Sequence, residues 1–195
     1  MFKSTLHKGR SIALALGASA VVLAVAGGTA AAADDPDEPM PGGPVHSFNP
    51  DGYGPLQLGM DPSSALATDL LADYSDPGPG LCKSAELNDQ YANVPGFPSQ
   101  TYVLISPNYG VVAIAVNRAS VHTPEGIRLG STVDEVKAAY PASAEQFQEA
   151  VDNIGRGYIP VPNSSRPSVF RIGVDENTHV VDQLAIELTY QDCYE

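Results

Sequence analysis

One glycine-led phrase occurs twice in this chain: Leu56-Gln57-Leu58-Gly59-Met60-Asp61-Pro62 and, 71 residues on, Ile127-Arg128-Leu129-Gly130-Ser131-Thr132-Val133. Each copy encodes a short buried strand, a glycine turn and a capped helix start, so the phrase constrains the body to one small unit used twice. The later parts of the two segments also correspond. Val94-Pro95 leads to a strand over 101–106, a turn at Pro107-Asn108-Tyr109-Gly110 and a strand over 111–116. Val161-Pro162 leads in turn to a strand over 168–174, a turn around Asp175-Glu176-Asn177 and a strand over 180–188. The expected fold is therefore α+β: two tandem repeats, 52–122 and 123–195, each a short helical segment packed on a small antiparallel sheet. Val103, Ile105, Phe170 and Ile172 are apolar at matching positions, whereas Leu104 matches Arg171. Each sheet is thus expected to have one helix-covered face and one open face.

The helix starts are specified by caps. Asp61 precedes Pro62 at the first helical position, and Leu66, Ala67, Leu70 and Leu71 then form i, i+4 rows, so this helix is expected to run on toward the breaker Ser75-Asp76-Pro77-Gly78-Pro79-Gly80. Thr132 caps the second helix with Glu135 as its capping-box partner. Val133, Val136 and Tyr140 supply its buried stripe, and Pro141 stops it.

Residues 1–33 read as a secretory leader: Lys3, Lys8 and Arg10 precede an apolar run over 12–26 and end in Ala31-Ala32-Ala33. The pattern implies export; an uncleaved anchor is the alternative, since 11–33 could nearly span a bilayer, but Gly17, Gly27, Gly28 and the small-residue end favour cleavage and release. Removal of the leader leaves all 23 acids but only seven of the ten basic residues, a net charge of −16. Such a charge argues against nucleic-acid or anionic-membrane binding, and favours either simple solubility or a partner with a cationic surface. Residues 34–51 are acidic and proline-rich, with little to bury, and read as a disordered tether. The carboxylates Asp34, Asp35, Asp37 and Glu38 lack calcium-loop spacing.

Cys82 and Cys193 are the only cysteines. In an oxidising compartment they fit one intramolecular bridge closing a long loop, the alternatives being free thiols or intermolecular pairing. No histidine lies at metal-ligand spacing from either, and no cofactor motif occurs. His46, His122 and His179 lack a nucleophile elbow or a zinc-binding helix around them and read as surface or turn residues. Asp134 and Glu135 suit a helix start, while Asp182 and Glu187 read as solvated strand positions.

The chain has nine tyrosines and no tryptophan. Tyr91, Tyr102, Tyr109 and Tyr158 fall off the helical stripes, where they serve either half-buried packing or an interface. Tyr102, Leu104, Tyr109, Tyr158 and Arg171 are the candidate binding surface. The segment 157–165 between Arg156 and Arg166 reads as a proline-rich loop, and it contains the sequon Asn163-Ser164-Ser165.

Leu58-Gly59-Met60 with Asp61, and Leu129-Gly130 with Thr132, resemble the start of the BamE-like (SmpA/OmlA) module. Two such modules in an exported acidic chain are similar to the secreted β-lactamase-inhibitor protein fold. That resemblance implies helical hairpins against four-stranded sheets and a non-enzymatic binding role. The chain departs from it in having Ser131 at the methionine position and one cysteine in each half. Thr123-Pro124-Glu125-Gly126 also resembles small exported proteins of high-GC Gram-positive bacteria.

Together these features point to a secreted, non-enzymatic protein that binds a protein or other extracellular macromolecule, for instance as an inhibitor. Two alternatives stand beside it: a secreted hydrolase using a carboxylate pair or His122, and a cell-envelope structural protein.

Overall fold

In the computed structural model, which describes residues 46–87 and 101–194, the two glycine phrases adopt one local geometry. Gly59 and Gly130 have φ of 83° and 86°, a left-handed conformation open to glycine without steric cost. Gly59 N donates to Val111 O at 2.7 Å, and Val111 N donates to Met60 O at 2.8 Å. Gly130 N likewise donates to Val181 O at 2.8 Å, and Val181 N to Ser131 O at 2.7 Å. Each phrase is therefore pinned to the first residues of a long strand. The chain divides into two units, Met1–Asp34 and Asp35–Glu195, and every described residue belongs to the second. The leader 1–33, the acidic positions 34–38, Tyr91 and Val94-Pro95 lie outside the described residues.

The repeat architecture expected from the sequence is not what forms. Seven strands make one antiparallel sheet: β4 (Leu71–Ser75), β5 (Lys83–Leu87), β6 (Tyr102–Ser106), β7 (Gly110–Val116), β8 (Arg156–Pro160), β9 (Ser168–Val174) and β10 (Val181–Leu188). Their order across the sheet is β4-β5-β6-β7-β10-β9-β8. The segments that were to build two separate sheets meet at the β7–β10 pair, where Ala115 faces Ala185 and Ile114 faces Ile186. Both strands are buried nearly throughout, which two independent sheets with open edges could not achieve. A second, three-stranded sheet is made of β1 (Phe48–Asn49), β2 (Gly52–Tyr53) and β3 (Leu56–Gln57). The fold is sheet-dominant, with three short α-helices among the described residues: α1 (Pro62–Leu66), α2 (Val133–Ala139) and α3 (Ala144–Ile154). Among the described residues no helix is long and apolar enough to cross a membrane.

Helix α1 stops well short of its expected end. Thr68 Oγ1 donates back to Ala65 O at 2.6 Å, Asp69 takes φ 58°, and Leu71 opens β4 instead of extending the apolar row. The caps themselves are as the sequence implies. Asp61 Oδ1 accepts from Ser63 N and Ser64 N at 3.0 and 3.1 Å. Thr132 and Glu135 close a reciprocal capping box at 3.2 and 2.6 Å. Beyond Pro141 the chain makes a 3-10 turn, Pro141–Ser143, and then α3, a second helix that the proline had hidden.

One face of the large sheet is covered. Phe147 of α3 lies directly over Gly157 of β8, where any Cβ would collide with its ring. Val136 of α2 and Leu56 of β3 are fully buried in the same layer. Phe48 stacks its ring 5.8 Å from Phe170, and Tyr140 lies 6.4 Å from Phe170 on another side. Phe48 is only 4% exposed, so ordered structure begins inside the stretch 34–51 read as tether. A single buried aromatic is enough to anchor that strand.

Six carboxylates that tie down turns and caps are held below their ordinary range. Asp61 is stabilised by the hydroxyls of Ser63 and Ser64, and Glu135 by the Thr132 backbone. Asp51 is lowered by the Ser165 hydroxyl and amide, Asp175 by Thr178, Asp76 by Lys83 and Asp192 by Ser106 and Asn108. Among the described carboxylates only Asp182 moves the other way, raised by burial and then by Asp175. A carboxylate with a depressed folded-state pKa adds stability above its unfolded value and loses it as pH falls through the folded one. The midpoint of urea unfolding is therefore expected to be flat near neutrality and to fall steadily below about pH 4. A midpoint that holds or rises from pH 5 to pH 2 would contradict this assignment.

Candidate functional site

The open face carries a cross-strand row that runs Tyr102 on β6, Ala115 on β7, Ala185 on β10, Arg171 on β9 and Tyr158 on β8. Two alanines at the centre leave a trough between the larger side chains on either side. Arg171 reaches across it: its guanidinium carbon lies 5.7 Å from the centre of the Tyr102 ring, and its terminal nitrogen donates to the Tyr102 hydroxyl. The next row brings Leu104, Ala113, Glu187 and Val169 abreast. Arg171 Nε is 3.3 Å from Glu187 Oε2, and the two side chains are 12% and 7% exposed. The approach is off hydrogen-bond alignment, so charge attraction rather than a directed bond holds that nitrogen.

The chain after β10 closes one side of the trough. The disulfide Cys82–Cys193, with Cα atoms 5.5 Å apart, ties this tail to the start of β5, although β7 and β6 lie between β10 and β5 in the sheet. Asn108 Nδ2 adds a bond to Asp192 Oδ2 at 2.7 Å. Gln191 Oε1 accepts from Cys193 N and Tyr194 N, shaping a turn that swings Tyr194 inward. The Tyr194 hydroxyl donates to Glu187, and burial followed by this bond pushes its pKa well above the usual phenol range. The result is a cleft of about 480 Å³ walled by Tyr102, Leu104, Arg156 and Tyr158, with Arg171 and Glu187 beside them and Gln191 and Tyr194 from the tail.

Four of the five surface residues expected from the sequence, Tyr102, Leu104, Tyr158 and Arg171, are thus brought together. Tyr109 is not among them; it stands 47% exposed at the β6–β7 turn, because Ser106 Oγ accepts from its amide and holds the turn away from the sheet face. Glu187, read as a solvated position, is 6% exposed and paired. Sequence reasoning missed Arg156, Gln191 and Tyr194. Arg156 and Tyr158 belong to strand β8, which takes in Arg156 and the first part of the segment 157–165 read as a loop, and the alternation of buried Gly157 and Ile159 with exposed Arg156 and Tyr158 was the available signal.

The histidines lie elsewhere. His122 Nδ1 is 2.8 Å from Thr123 O and its Nε2 is 3.3 Å from Ser47 Oγ, in a loop bridged to Arg128. His46 packs edge-on to Tyr53, and His179 occupies a tight turn with φ 54°. Tyr140, beneath the opposite face, donates its hydroxyl proton to Glu125 Oε2 at 2.6 Å and accepts from the Thr123 hydroxyl at 2.7 Å. No family model matches this sequence, and no curated protein or solved structure matches it either.

Proposed function

We propose that this chain is an exported, non-catalytic binding protein that docks a polypeptide partner in the cleft on the open face of its seven-stranded sheet. The observation that carries the reading is the Tyr102-Ala115-Ala185-Arg171-Tyr158 row. It sets rigid aromatic and arginine side chains around a floor of alanines, the composition that supplies most binding energy at protein interfaces. Strands β6, β10 and β9 under the cleft are paired on both sides and the edge strand β8 is paired to β9, so little ordering entropy is lost on docking. Its one carboxylate, Glu187, is engaged by Arg171 and Tyr194, an arrangement that serves to hold shape. The acidity of the whole chain supports steering of a partner with a basic surface toward it.

The test is retention of a saturable partner from the native extracellular or envelope fraction on immobilised protein. Tyr158→Ala should leave stability within about 0.5 kcal/mol, since the side chain is 40% exposed. It should nonetheless weaken partner binding by about thirtyfold, the size of an interface hot spot. Tyr109→Ala, outside the cleft, should bind as the parent does. Equal loss in both variants, or in neither, would remove the cleft from the account.

A further inference from the structure

The cleft carries one guanidinium that its other side chains leave uncommitted. Gln191 is used within the tail, its Nε2 donating to Tyr194 O at 2.5 Å and its Oε1 accepting from two amides. Glu187 is met from two sides, by Arg171 and by Tyr194. Arg171 is itself committed to Glu187 and Tyr102. What remains is Arg156, an exposed guanidinium on the cleft wall with no ion pair among the described residues, next to the partly exposed Tyr158. Counting Arg156, Arg171 and Glu187, the cleft carries one net positive charge on a chain whose formal charge is −13. An exposed, unpaired guanidinium in a net positive cleft is complementary to an anion, and its planar fork matches a carboxylate through two parallel bonds.

We infer that the cleft recognises the C-terminal carboxylate of a peptide, held by Arg156 while an adjoining apolar or aromatic group packs against Tyr158 and Tyr102. The inference rests on the docking reading above and specifies what the partner inserts. The long-range and local charges then play different parts. The acidic body draws in a basic surface, and the positive cleft selects the one acidic group on it.

The direct probe is N-acetyl-phenylalanine, with its amide as the neutral control, titrated into the isotope-labelled folded protein while backbone and arginine Nε–H resonances are followed by NMR. Saturating shifts confined to β8, β9, the start of β6 and the 191–194 tail are expected with the acid. Binding should be about tenfold weaker with the amide and with Arg156→Gln, the loss expected for one charge-assisted contact. Arg156→Lys, which keeps the charge without the fork, should recover part of the affinity. Equal binding of acid and amide at the same residues would overturn carboxylate recognition and leave the docking reading standing. Absence of saturable shifts with either, or shifts centred elsewhere, would also overturn it, and the partner-retention experiment then decides the docking reading separately. Inorganic phosphate displacing the acid at equal concentration would show that the cleft senses charge alone, which equally sinks the proposal.

Discussion

Replacing both cysteines, Cys82→Ser with Cys193→Ser, is expected to lower the free energy of unfolding by about 4 to 5 kcal/mol, the largest effect of any change described above. The bond spans a sequence separation of 111 residues, so its loss returns a large share of chain entropy to the unfolded state. Domains of this kind are stable by only about 5 to 15 kcal/mol, and the double variant should therefore unfold at markedly lower urea concentration. The effect should also reach the cleft. Tyr194 follows Cys193 directly, and without the bond the tail is held by noncovalent contacts alone: the Tyr194–Glu187 bond, the Gln191 turn and the Asn108–Asp192 bond. Equilibrium unfolding of the oxidised parent and the double variant measures the first effect, and the Tyr194 ring resonances report the second. A loss under 1 kcal/mol would show that noncovalent contacts already fix the tail.

The second large effect concerns the ion pair on the cleft floor. Arg171→Ala leaves Glu187, 6% exposed, as a buried carboxylate facing only Tyr194, and should cost about 3 to 5 kcal/mol. Substituting both members, Arg171→Met with Glu187→Met, should restore most of that stability, because two apolar side chains of similar length have no desolvation to repay. The cycle of single and double variants in urea separates these contributions. If the single and double variants were equally destabilised, packing rather than uncompensated charge would be the cause.

What the sequence made legible were features written in adjacent residues. The caps at Asp61 and Thr132 are encoded within three positions, and strands β6, β7, β9 and β10 announce themselves by runs of β-branched residues bounded by turns. The disulfide followed from there being two cysteines and no other partner chemistry. The placement of Tyr102, Leu104, Tyr158 and Arg171 on one face follows from period-two alternation once their strands are known. What stayed hidden was nonlocal or masked. Nothing near Val116 or Leu184 says that these residues will face each other, and their pairing turns two expected sheets into one. Strand β4 was disguised because Leu66, Leu70 and Leu71 fit a helical row until Asp69 breaks it. Helix α3 carried a readable signal in Phe147, Val151 and Ile154 followed by Gly155, but Pro141 drew attention to an ending.

The seam between β7 and β10 has a kinetic consequence. Ala115 and Ala185, hydrogen-bonded neighbours at the centre of the sheet, are 70 positions apart along the chain, while the β6–β7 and β9–β10 pairs are each closed by a short turn. The short-range ribbons can assemble within microseconds, but zipping them into one sheet requires closing a long stretch of backbone before any reward is collected. Zipping of that pair is therefore expected to be among the slow steps of folding, and until it occurs both central strands present bare, apolar edges to their surroundings.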